Sequence, residues 1–352
     1  MEAVMAICGD IHFGAKTNDE KFLEYQNRCF DYMIDYCVSN GIRTISFLGD
    51  VFNNRSSISI FILDYVIKKF TEISDKFDNI IITIGNHDTF YKNTNKLNSP
   101  DIIFNSLFSD KLKQKIKIIY DDPEEVTING SLVLLVPWIT KDNYEKCITA
   151  IENSTSKYCL GHFEINGFLM NSFVKCDGGL KTSSFKNFDR VLSGHFHTKS
   201  ENKNIKYVGS LTQLTWNDYS DPRGFHILEQ KTGKLDFIQC ANEIFIKIII
   251  NETTDLNQFS NVKDSYIKVY INRKLNNKEE KVLTNILMQN IRYEVIDNTL
   301  VDDITDMEVN DESTDVIIKE GIDIQENMSD NEKRDVYKTI MNIYNKILVE
   351  GA

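Results

Sequence analysis

Five short motifs hold the residues best suited to chemistry in this chain of 352 residues, and they include five of its six histidines. In each motif a glycine that follows an apolar segment is itself followed at once by Asp, Asn or His. Glycine allows the backbone to turn sharply beside a site. In chain order the motifs are Gly9-Asp10-Ile11-His12, Gly49-Asp50-Val51-Phe52-Asn53, Gly85-Asn86-His87-Asp88, Gly161-His162 and Gly194-His195-Phe196-His197.

The side chains of these motifs are mixed oxygen and nitrogen donors, which suit divalent transition metals such as Mn²⁺, Fe²⁺ or Zn²⁺. No cysteine lies within the motifs, which disfavours a structural zinc site. The alternation in Asp10-x-His12 and in His195-x-His197 predicts side chains on the same side of an extended segment. Two ions about 3.5–4 Å apart, bridged by a carboxylate, clamp a phosphate and activate a water molecule. The motifs therefore predict a binuclear metal centre.

The apolar segments before the motifs are predicted to be strands of an α/β fold. Strands over residues 4–7, 42–48 and 79–84 alternate with helices over residues 20–39 and 58–73, which implies βαβ units with parallel strands. The carboxyl ends of parallel strands line the ligand crevice of such sheets. The motifs should therefore converge on one crevice.

Later segments indicate a second sheet that contains both kinds of strand pairing. Asn129-Gly130 between two apolar runs predicts a tight hairpin, and more strands are expected over residues 158–160, 188–192, 205–208 and 225–228. The predicted architecture is a mixed β-sandwich flanked by helices.

Four parts are expected along the chain. Residues 1–240 form the mixed β-sandwich domain, and residues 241–298 form a small α+β domain. Residues 299–328 are an acidic linker. Residues 329–352 are predicted to form a helix, because a capping box precedes apolar residues at helical spacing.

The motif order D-x-H, G-D, G-N-H-D, G-H and G-H-x-H resembles that of the calcineurin-like binuclear metallophosphoesterase superfamily, over about residues 1–230. The opening Gly-Asp-Ile-His-Phe-Gly, together with Tyr207-Val208-Gly209-Ser210 and Gly224-Phe225, resembles more narrowly the SbcD-type recombination nucleases of bacteria, archaea, eukaryotes and tailed phages. The resemblance implies that the small second domain caps DNA. It also implies that the C-terminal helix docks on the coiled-coil base of an SMC-like ATPase of the SbcC type.

The same resemblance implies a role for each motif residue. One metal ion would be held by Asp10, His12, Asp50 and His197, and the other by Asp50, Asn86, His162 and His195. Asp50 would thus bridge the two ions. His87 would stabilise the phosphorane or help to protonate the leaving oxygen, with Asp88 fixing its tautomer.

One position departs from the family pattern, in which a histidine often follows the bridging aspartate by three residues. The residue here is Asn53, which donates a hydrogen bond but does not titrate. The loop over residues 90–96 mixes aromatic and basic side chains. Tyr91 and Lys92 of this loop are therefore expected to bind substrate together with Asn53, and an ordinary solvated loop is the alternative.

The predicted function is a Mn²⁺-dependent DNA nuclease subunit, with Mg²⁺, Fe²⁺ or Zn²⁺ as alternative ions. By resemblance it would be a 3′–5′ double-strand exonuclease and single-strand endonuclease that uses a two-metal-activated water. It would work as a homodimer within a heterotetrameric SbcCD-like complex for recombination and double-strand-break repair. Two alternatives stay open: a stand-alone metallophosphatase or cyclic-nucleotide phosphodiesterase, and an architectural scaffold whose metals are structural.

The net charge of −12 argues at first against a nucleic-acid partner. Residues 294–332, however, contain fourteen acidic residues and one lysine, which leaves a net charge of +1 on the rest of the chain. The acidity therefore marks the linker and does not exclude DNA. Seven cysteines without a C-x-x-C pair, and no apolar stretch long enough for a membrane span, predict a cytoplasmic protein, in the host cytoplasm if phage-encoded.

Overall fold

The computed structural model describes residues 3–108, 110–170, 175–240 and 243–299, together with Lys333 and Val336, which are helical. Apart from Thr299 and these two positions, the predicted acidic linker over residues 299–328 and the predicted helix over residues 329–352 lie outside the described residues.

The chain divides into two compact units. The first comprises Met1–Ile248, Asp255–Val269 and Asn277–Glu294, and the second comprises Ile249–Thr254, Tyr270–Asn276 and Val295–Ala352. All five motifs lie in the first unit.

The strands and helices alternate through the first half of the chain, as the sequence pattern predicts. The strands are β1 (Val4–Cys8), β2 (Thr44–Leu48), β3 (Asn79–Thr83), β4 (Ile116–Ile119), β5 (Glu124–Ile128), β6 (Ser131–Val136), β7 (Tyr158–His162), β8 (Arg190–Gly194), β9 (Ser200–Asn202), β10 (Ile205–Tyr207), β11 (Gly224–Glu229), β12 (Lys234–Gln239), β13 (Phe245–Ile250), β14 (Tyr266–Ile271) and β15 (Arg292–Asp297). The helices are α1 (Ala15–Asn18), α2 (Glu20–Ser39), α3 (Ile60–Lys76), α4 (Ser99–Leu107), α5 (Asp110–Lys113), α6 (Tyr144–Asn153) and α7 (Asn277–Met288).

Two six-stranded sheets carry the architecture. The first has the order β12-β11-β1-β2-β3-β4, in which β1 to β4 are parallel and β11 and β12 are antiparallel. The second has the order β5-β6-β7-β8-β10-β9, in which only the edge strands β5 and β9 pair antiparallel. A three-stranded sheet has the order β13-β14-β15. The prediction of an α/β fold with two mixed sheets flanked by helices is confirmed.

Strands β1, β2 and β3 of the first sheet are buried on both faces. On β1, Ala6 and Cys8 join an apolar cluster that contains the inner faces of α2 and α3, including Phe30 and Phe70. The alternate residues of β1 join a second cluster with strands of the other sheet, and its members include Met5, Ile7, Leu48, Leu135, Leu160 and Leu192. Because successive strand residues point to opposite faces, one sheet packs on helices on one side and on the second sheet on the other.

Local sequence signals account for the clearest element boundaries. Helix α2 begins where the carboxylate of Asp19 accepts a hydrogen bond from the backbone N–H of Phe22 (2.8 Å), which satisfies one free donor of the first turn. The hairpin turn between β5 and β6 has positive φ at both Asn129 (49°) and Gly130 (82°), as a two-residue type I′ turn requires. Helix α3 extends to Lys76, three residues beyond its predicted end.

Several elements were not predicted, and all are short or lie at an edge. Strands β4 and β12 are edge strands of the first sheet, and α4 begins at a cap formed by Asn98, whose side chain accepts from the N–H of Asp101 (2.8 Å). The strands and helix predicted for residues 241–298 are present as β13, β14, α7 and β15. Their role as a DNA-capping domain stays a prediction. No helix in the described part of the chain is long and apolar enough to cross a membrane.

Candidate metal centre

The five motifs follow the carboxyl ends of five parallel strands, three in the first sheet and two in the second. Asp10, Asp50 and Asn86 come just after β1, β2 and β3. His162 is the last residue of β7, and His195 directly follows β8. Because the two sheets pack face to face, these ends meet at one crevice, as the sequence pattern predicts.

Three of the predicted ligands form a first group at this crevice. Asp10, His12 and His197 each offer an atom, and these atoms all lie within 4.8 Å of one another. The Nε2 atoms of His12 and His197 are 3.1 Å apart. Two imidazole nitrogens at that distance need a proton or a cation between them, because their lone pairs otherwise repel.

A second group lies beside the first. Asp50, His162 and His195 also offer atoms within 4.8 Å of one another. The side-chain oxygen of Asn86 lies 3.1 Å from Nε2 of His162 and so belongs to the same group. The two groups together contain the seven residues predicted to hold metal.

Asp50 lies between the two groups. Its Oδ1 atom accepts a hydrogen bond from the backbone N–H of His87 (2.8 Å), which fixes the orientation of the carboxylate. The other oxygen, Oδ2, lies 3.6 Å from Nε2 of His12 and 3.4 Å from Nε2 of His162. One oxygen atom therefore faces both groups, which is the arrangement that a bridging ligand requires.

The donor set fits divalent metal ions. Asp10 is fully buried, and its Oδ1 accepts from the backbone N–H of His195 (2.9 Å), whereas its Oδ2 has no hydrogen-bond partner among the described residues. A buried carboxylate oxygen without a partner is costly unless a cation satisfies it. Mixed carboxylate, amide and imidazole donors favour ions of the Mn²⁺, Fe²⁺ and Zn²⁺ class.

Burial and neighbouring charges set the protonation states of the histidines. Burial lowers the pKa of His12 and brings that of His195 to about 3, so that both rings are neutral, the form that binds metals. Burial also disfavours the charged ring of His162, yet the carboxylates of Asp50 and Asp10 outweigh it and raise the pKa to about 9. A metal ion must displace that proton in order to bind.

The two carboxyl groups differ in their electrostatic surroundings. Burial raises the pKa of Asp10, although His162 and His197 oppose this shift. Burial would also raise the pKa of Asp50, but the adjacent His162, His12 and His87 rings bring it well below its usual value. Asp50 is therefore the ionised carboxylate of the site, and the imidazole rings of the two groups lie around it.

The backbone at the motifs is not extended, and the expectation of side-chain alternation along an extended segment was wrong. Asp10, His12, Asp50 and His195 have φ of 29°, 55°, 51° and 90°. Each such residue costs about 1–3 kcal/mol and persists only where the surrounding structure enforces it. Left-handed turns after the strands, and not strand pleating, therefore aim the ligands.

His87 is held by a backbone carbonyl. Its Nδ1 atom lies 2.7 Å from the carbonyl oxygen of Asn53, and the ring packs edge-on against His12 with centroids 4.9 Å apart. An acceptor at this position assigns the proton to Nδ1, which leaves Nε2 as the nitrogen that faces the crevice.

Asp88 does not fix the tautomer of His87, contrary to the prediction. Its buried carboxylate accepts hydrogen bonds from the N–H groups of Gly85 (2.9 Å) and Phe52 (3.1 Å). Burial and the nearby charge of Asp50 raise the pKa of Asp88 to about 7, against the effect of these two donors. Asp88 ties the loop after β2 to the loop after β3 and thus acts as a positioning residue.

The predicted substrate-binding residues are exposed or half-buried. Tyr91 is 49% exposed and packs edge-on against Phe90, with ring centroids 4.9 Å apart, and Lys92 is exposed. Asn53 is half-buried next to His87, and its backbone carbonyl, not its side chain, makes the contact. Substrate contact by these three side chains stays a prediction.

Trp138 is a residue of the site that sequence reasoning missed. Its ring centroid lies 5.1 Å from that of His195 and 5.7 Å from that of His162. It follows β6 by two residues, so it also lies at the carboxyl end of a parallel strand. No glycine precedes Trp138, so this strand end does not show the pattern of the five motifs. Its position after a predicted strand was the signal that could have identified it.

Two face-to-face mixed sheets with Asp, Asn and His at their joined carboxyl ends define a metallophosphoesterase. Residues 4–199 match the model of the calcineurin-like phosphoesterase family, and the chain belongs to that family. The resemblance predicted from the motifs is thereby confirmed.

Individual relatives cover more of the chain. It is 28% identical over 346 residues to Exonuclease subunit 1 of Enterobacteria phage T4, which spans 98% of both proteins. It is 24% identical over 270 residues to the D subunit of the SbcCD nuclease of Staphylococcus epidermidis, which spans 68% of each. The corresponding protein of Staphylococcus saprophyticus is 25% identical over 259 residues.

Proposed function

We propose that this chain is the nuclease subunit of an SbcCD-like complex and hydrolyses phosphodiester bonds of DNA at the candidate metal centre. The observation that carries the proposal is the position of Asp50 Oδ2, at 3.6 Å and 3.4 Å from histidine nitrogens of the two groups. The names of the relatives, an exonuclease subunit and two nuclease subunits, support DNA as the substrate.

Two divalent ions, with Mn²⁺ the preferred choice, would be held by the residues of the two groups. The first site would use Asp10, His12, Asp50 and His197, and the second would use Asp50, Asn86, His162 and His195. Ions in such a pair clamp the phosphate, lower the pKa of water and neutralise developing charge.

The chain itself supplies the proton chemistry at His87. The Asn53 carbonyl accepts a hydrogen bond from Nδ1–H and keeps the ring in one orientation. To act as a general acid the ring would carry a second proton on Nε2, and this is the proton given to the leaving oxygen. The half-buried ring is accessible to substrate. Asp88 holds the two loops on either side through Gly85 and Phe52.

The proposed substrates are based on the names of the relatives and on the distribution of charge along the chain. We propose 3′–5′ exonuclease activity on double strands and endonuclease activity on single strands, with Asn53, Tyr91 and Lys92 contacting DNA. The net charge of +1 outside residues 294–332 is compatible with a DNA surface. The side chain of Asn53 does not titrate and so cannot relay a proton. The ratio of exonuclease to endonuclease activity should therefore be measured directly.

The same proposal includes partners. Residues 241–298 would cap DNA, and residues 329–352 would dock on an SMC-like coiled-coil ATPase. The chain would form a homodimer within a heterotetramer that serves recombination and double-strand-break repair in the cytoplasm, or in the host cytoplasm if the chain is phage-encoded. The word "subunit" in the names of all three relatives supports an assembly.

The decisive experiment is DNA hydrolysis by the purified chain with Mn²⁺, alongside the variant His87→Ala. Loss of a general acid typically costs about 10²–10⁴-fold in rate, and this variant should lose that much while its metal content stays unchanged. The matched control is His226→Phe, because His226 is buried in β11 and is in neither candidate metal group, so it should not affect hydrolysis.

Full nuclease activity in His87→Ala would remove His87 from the mechanism. Turnover of small phosphoesters or cyclic nucleotides without any cleavage of DNA would favour the stand-alone phosphatase or phosphodiesterase instead.

A further inference from the structure

A cavity of about 210 Å³ lies beside the candidate metal centre, on the side of His162. It is smaller than the sites of about 300–1,000 Å³ that hold drug-sized molecules, so it accommodates a single ring system. Its walls come from the end of β6, the start of α6 and the segment after β7, and they include Trp138, Ile139, Tyr144, Phe163, Glu164 and Leu180.

The lining favours an uncharged flat group over a phosphate. No lysine or arginine lines this cavity among the described residues, and its ionisable groups are His162 and Glu164. The carboxylate of Glu164 repels a phosphate. Aromatic rings at Trp138 and Tyr144, the latter 45% exposed, offer surfaces on which a planar ring stacks.

The cavity is continuous with the residues that would hold the metal ions. The Trp138 ring packs against His195 and His162, with centroids 5.1 Å and 5.7 Å apart. A ring bound against Trp138 therefore lies next to the position of a phosphate at the two histidine groups. The base of a nucleotide matches the aromatic wall of the cavity, and its phosphate matches the candidate metal centre.

Hydrogen bonds hold the aromatic wall in place. The backbone N–H of Trp138 donates to the backbone carbonyl of Ile84 (3.0 Å). The backbone carbonyl of Trp138 accepts from the side-chain amides of Asn95 (2.6 Å) and Asn143 (3.1 Å). Asn143 immediately precedes Tyr144, the first residue of α6, so its amide ties the main chain at Trp138 to the start of this helix. A main chain that is fixed in advance lowers the ordering cost of binding a ring.

We infer that this cavity is a nucleobase subsite, which accepts the base of the nucleotide next to the scissile phosphate. The inference rests on the proposed nuclease function and adds how the substrate is oriented. A base in the cavity must leave its stack, so strands with an unpaired base at this position should be better substrates. Glu164 accepts hydrogen bonds from exocyclic amino groups, which favours cytosine, adenine and guanine over thymine.

The first test compares oligonucleotides that carry either a normal or an abasic residue on each side of the cut. Stacking of one base on an aromatic side chain should make kcat/KM about 5- to 150-fold higher for the normal residue at one of the two positions. Tyr144→Ala should reduce this ratio toward one. The matched control is Tyr32→Ala, since Tyr32 is similarly exposed (41%) but lies on α2 and does not line the cavity.

The second test measures binding without catalysis. The chain has two tryptophans, so Trp216→Phe leaves Trp138 as the only tryptophan reporter. Titration with deoxycytidine monophosphate should quench its fluorescence at concentrations at which deoxyribose 5-phosphate does not.

Failure of the subsite is distinguishable from failure of the proposed function. A wild-type chain that cleaves DNA with a normal-to-abasic ratio near one, unaffected by Tyr144→Ala, would overturn the subsite alone. A wild-type chain that cleaves no DNA would overturn the nuclease, and the fluorescence titration would then decide the subsite. Equal quenching by the two phosphates would overturn it.

Discussion

The Nδ1 atom of His87 lies 2.7 Å from the backbone carbonyl oxygen of Asn53, so the main chain and not a side chain orients this ring. The resemblance to the SbcD-type nucleases implies a histidine at the position of Asn53. Because the contact uses the carbonyl, the identity of the side chain there is free to vary without disturbing His87. This separation allows the role of the side chain to be tested by itself.

Asn53→His should add an ionisation to the activity without moving His87. A half-exposed imidazole titrates near pH 6.5, whereas asparagine does not titrate. We expect the pH profile of kcat/KM for DNA to show a new inflection between about pH 6 and 7. Asn53→Gln is the control without a titrating group, and a profile shared by both variants would contradict the prediction.

Asp50→Asn should weaken the binding of both metal ions, because one carboxylate oxygen faces both histidine groups. An amide oxygen still accepts the hydrogen bond from the His87 N–H, so the fold is expected to survive. Metal analysis after dialysis against Mn²⁺ should give fewer than one ion per chain, compared with two for the wild type.

Asp88→Asn provides the matched control for this measurement. It makes the same chemical change on a buried carboxylate that, among the described residues, accepts from the backbone N–H groups of Gly85 and Phe52. One of these two donors loses its acceptor, but no candidate metal ligand changes, so the variant should retain two ions. Equal metal content in the two variants would refute a bridging role for Asp50.

Gly49→Ala should destabilise the chain more than Gly130→Ala, although both glycines have a similar positive φ of 88° and 82°. A Cβ atom on Gly49 would clash with the ring of His162, whereas no atom of the residues that the structure describes lies within 4 Å of one on Gly130. The left-handed backbone alone costs about 1–2 kcal/mol per residue, which is the loss expected for Gly130→Ala. Urea unfolding of the metal-free proteins measures the difference, and equal losses would contradict close packing at the site.

His226→Phe should make stability less sensitive to acid. Burial, with Lys206 and Lys199 nearby, lowers the pKa of His226 to about 3, and neither ring nitrogen has a hydrogen-bond partner in the described part of the chain. The unfolded state, with a pKa near 6.5, therefore binds the proton more tightly, and stability is lost as the pH falls below about 6.5. By pH 5 this group alone removes at most about 2 kcal/mol.

Unfolding by urea at pH 7 and pH 5 provides the measurement for this prediction. The wild type should lose more free energy of unfolding than His226→Phe over that interval. The titrating groups of the crevice are the same in both proteins, so the difference between the two losses is the contribution of His226. The same loss in both proteins would show that the ring takes up its proton in the folded state without penalty.

Deletion of residues 329–352 should remove the ATPase partner and leave basal Mn²⁺-dependent hydrolysis intact. The apolar stripe in this segment is proposed to dock on a coiled coil, while all candidate metal ligands lie before residue 200. Co-purification of an SMC-like ATPase with the full chain, but not with the shortened chain, checks the prediction. Retention of the partner by the shortened chain would assign docking elsewhere.

The sequence alone determined the ligand types and their meeting place. Gly-Asp, Gly-Asn-His and Gly-His after apolar segments are local signals, since a strand, a sharp turn and a polar side chain occupy consecutive positions. The same locality made α2 predictable to its end residues, and made the Asn129-Gly130 hairpin predictable from two residues. The family resemblance rests on the order of these local signals.

Only the tertiary structure decided which groups support the ligands. The carbonyl of Asn53 on His87, the N–H groups of Gly85 and Phe52 on Asp88, and the ring of Trp138 against His195 join segments that are distant in sequence. Every residue carries a backbone carbonyl, so no pattern marks the one that a folded loop brings within 2.7 Å of an imidazole. The positive φ values at Asp10, His12, Asp50 and His195 have the same origin, because a strained backbone persists only where the packed sheets on both sides hold it.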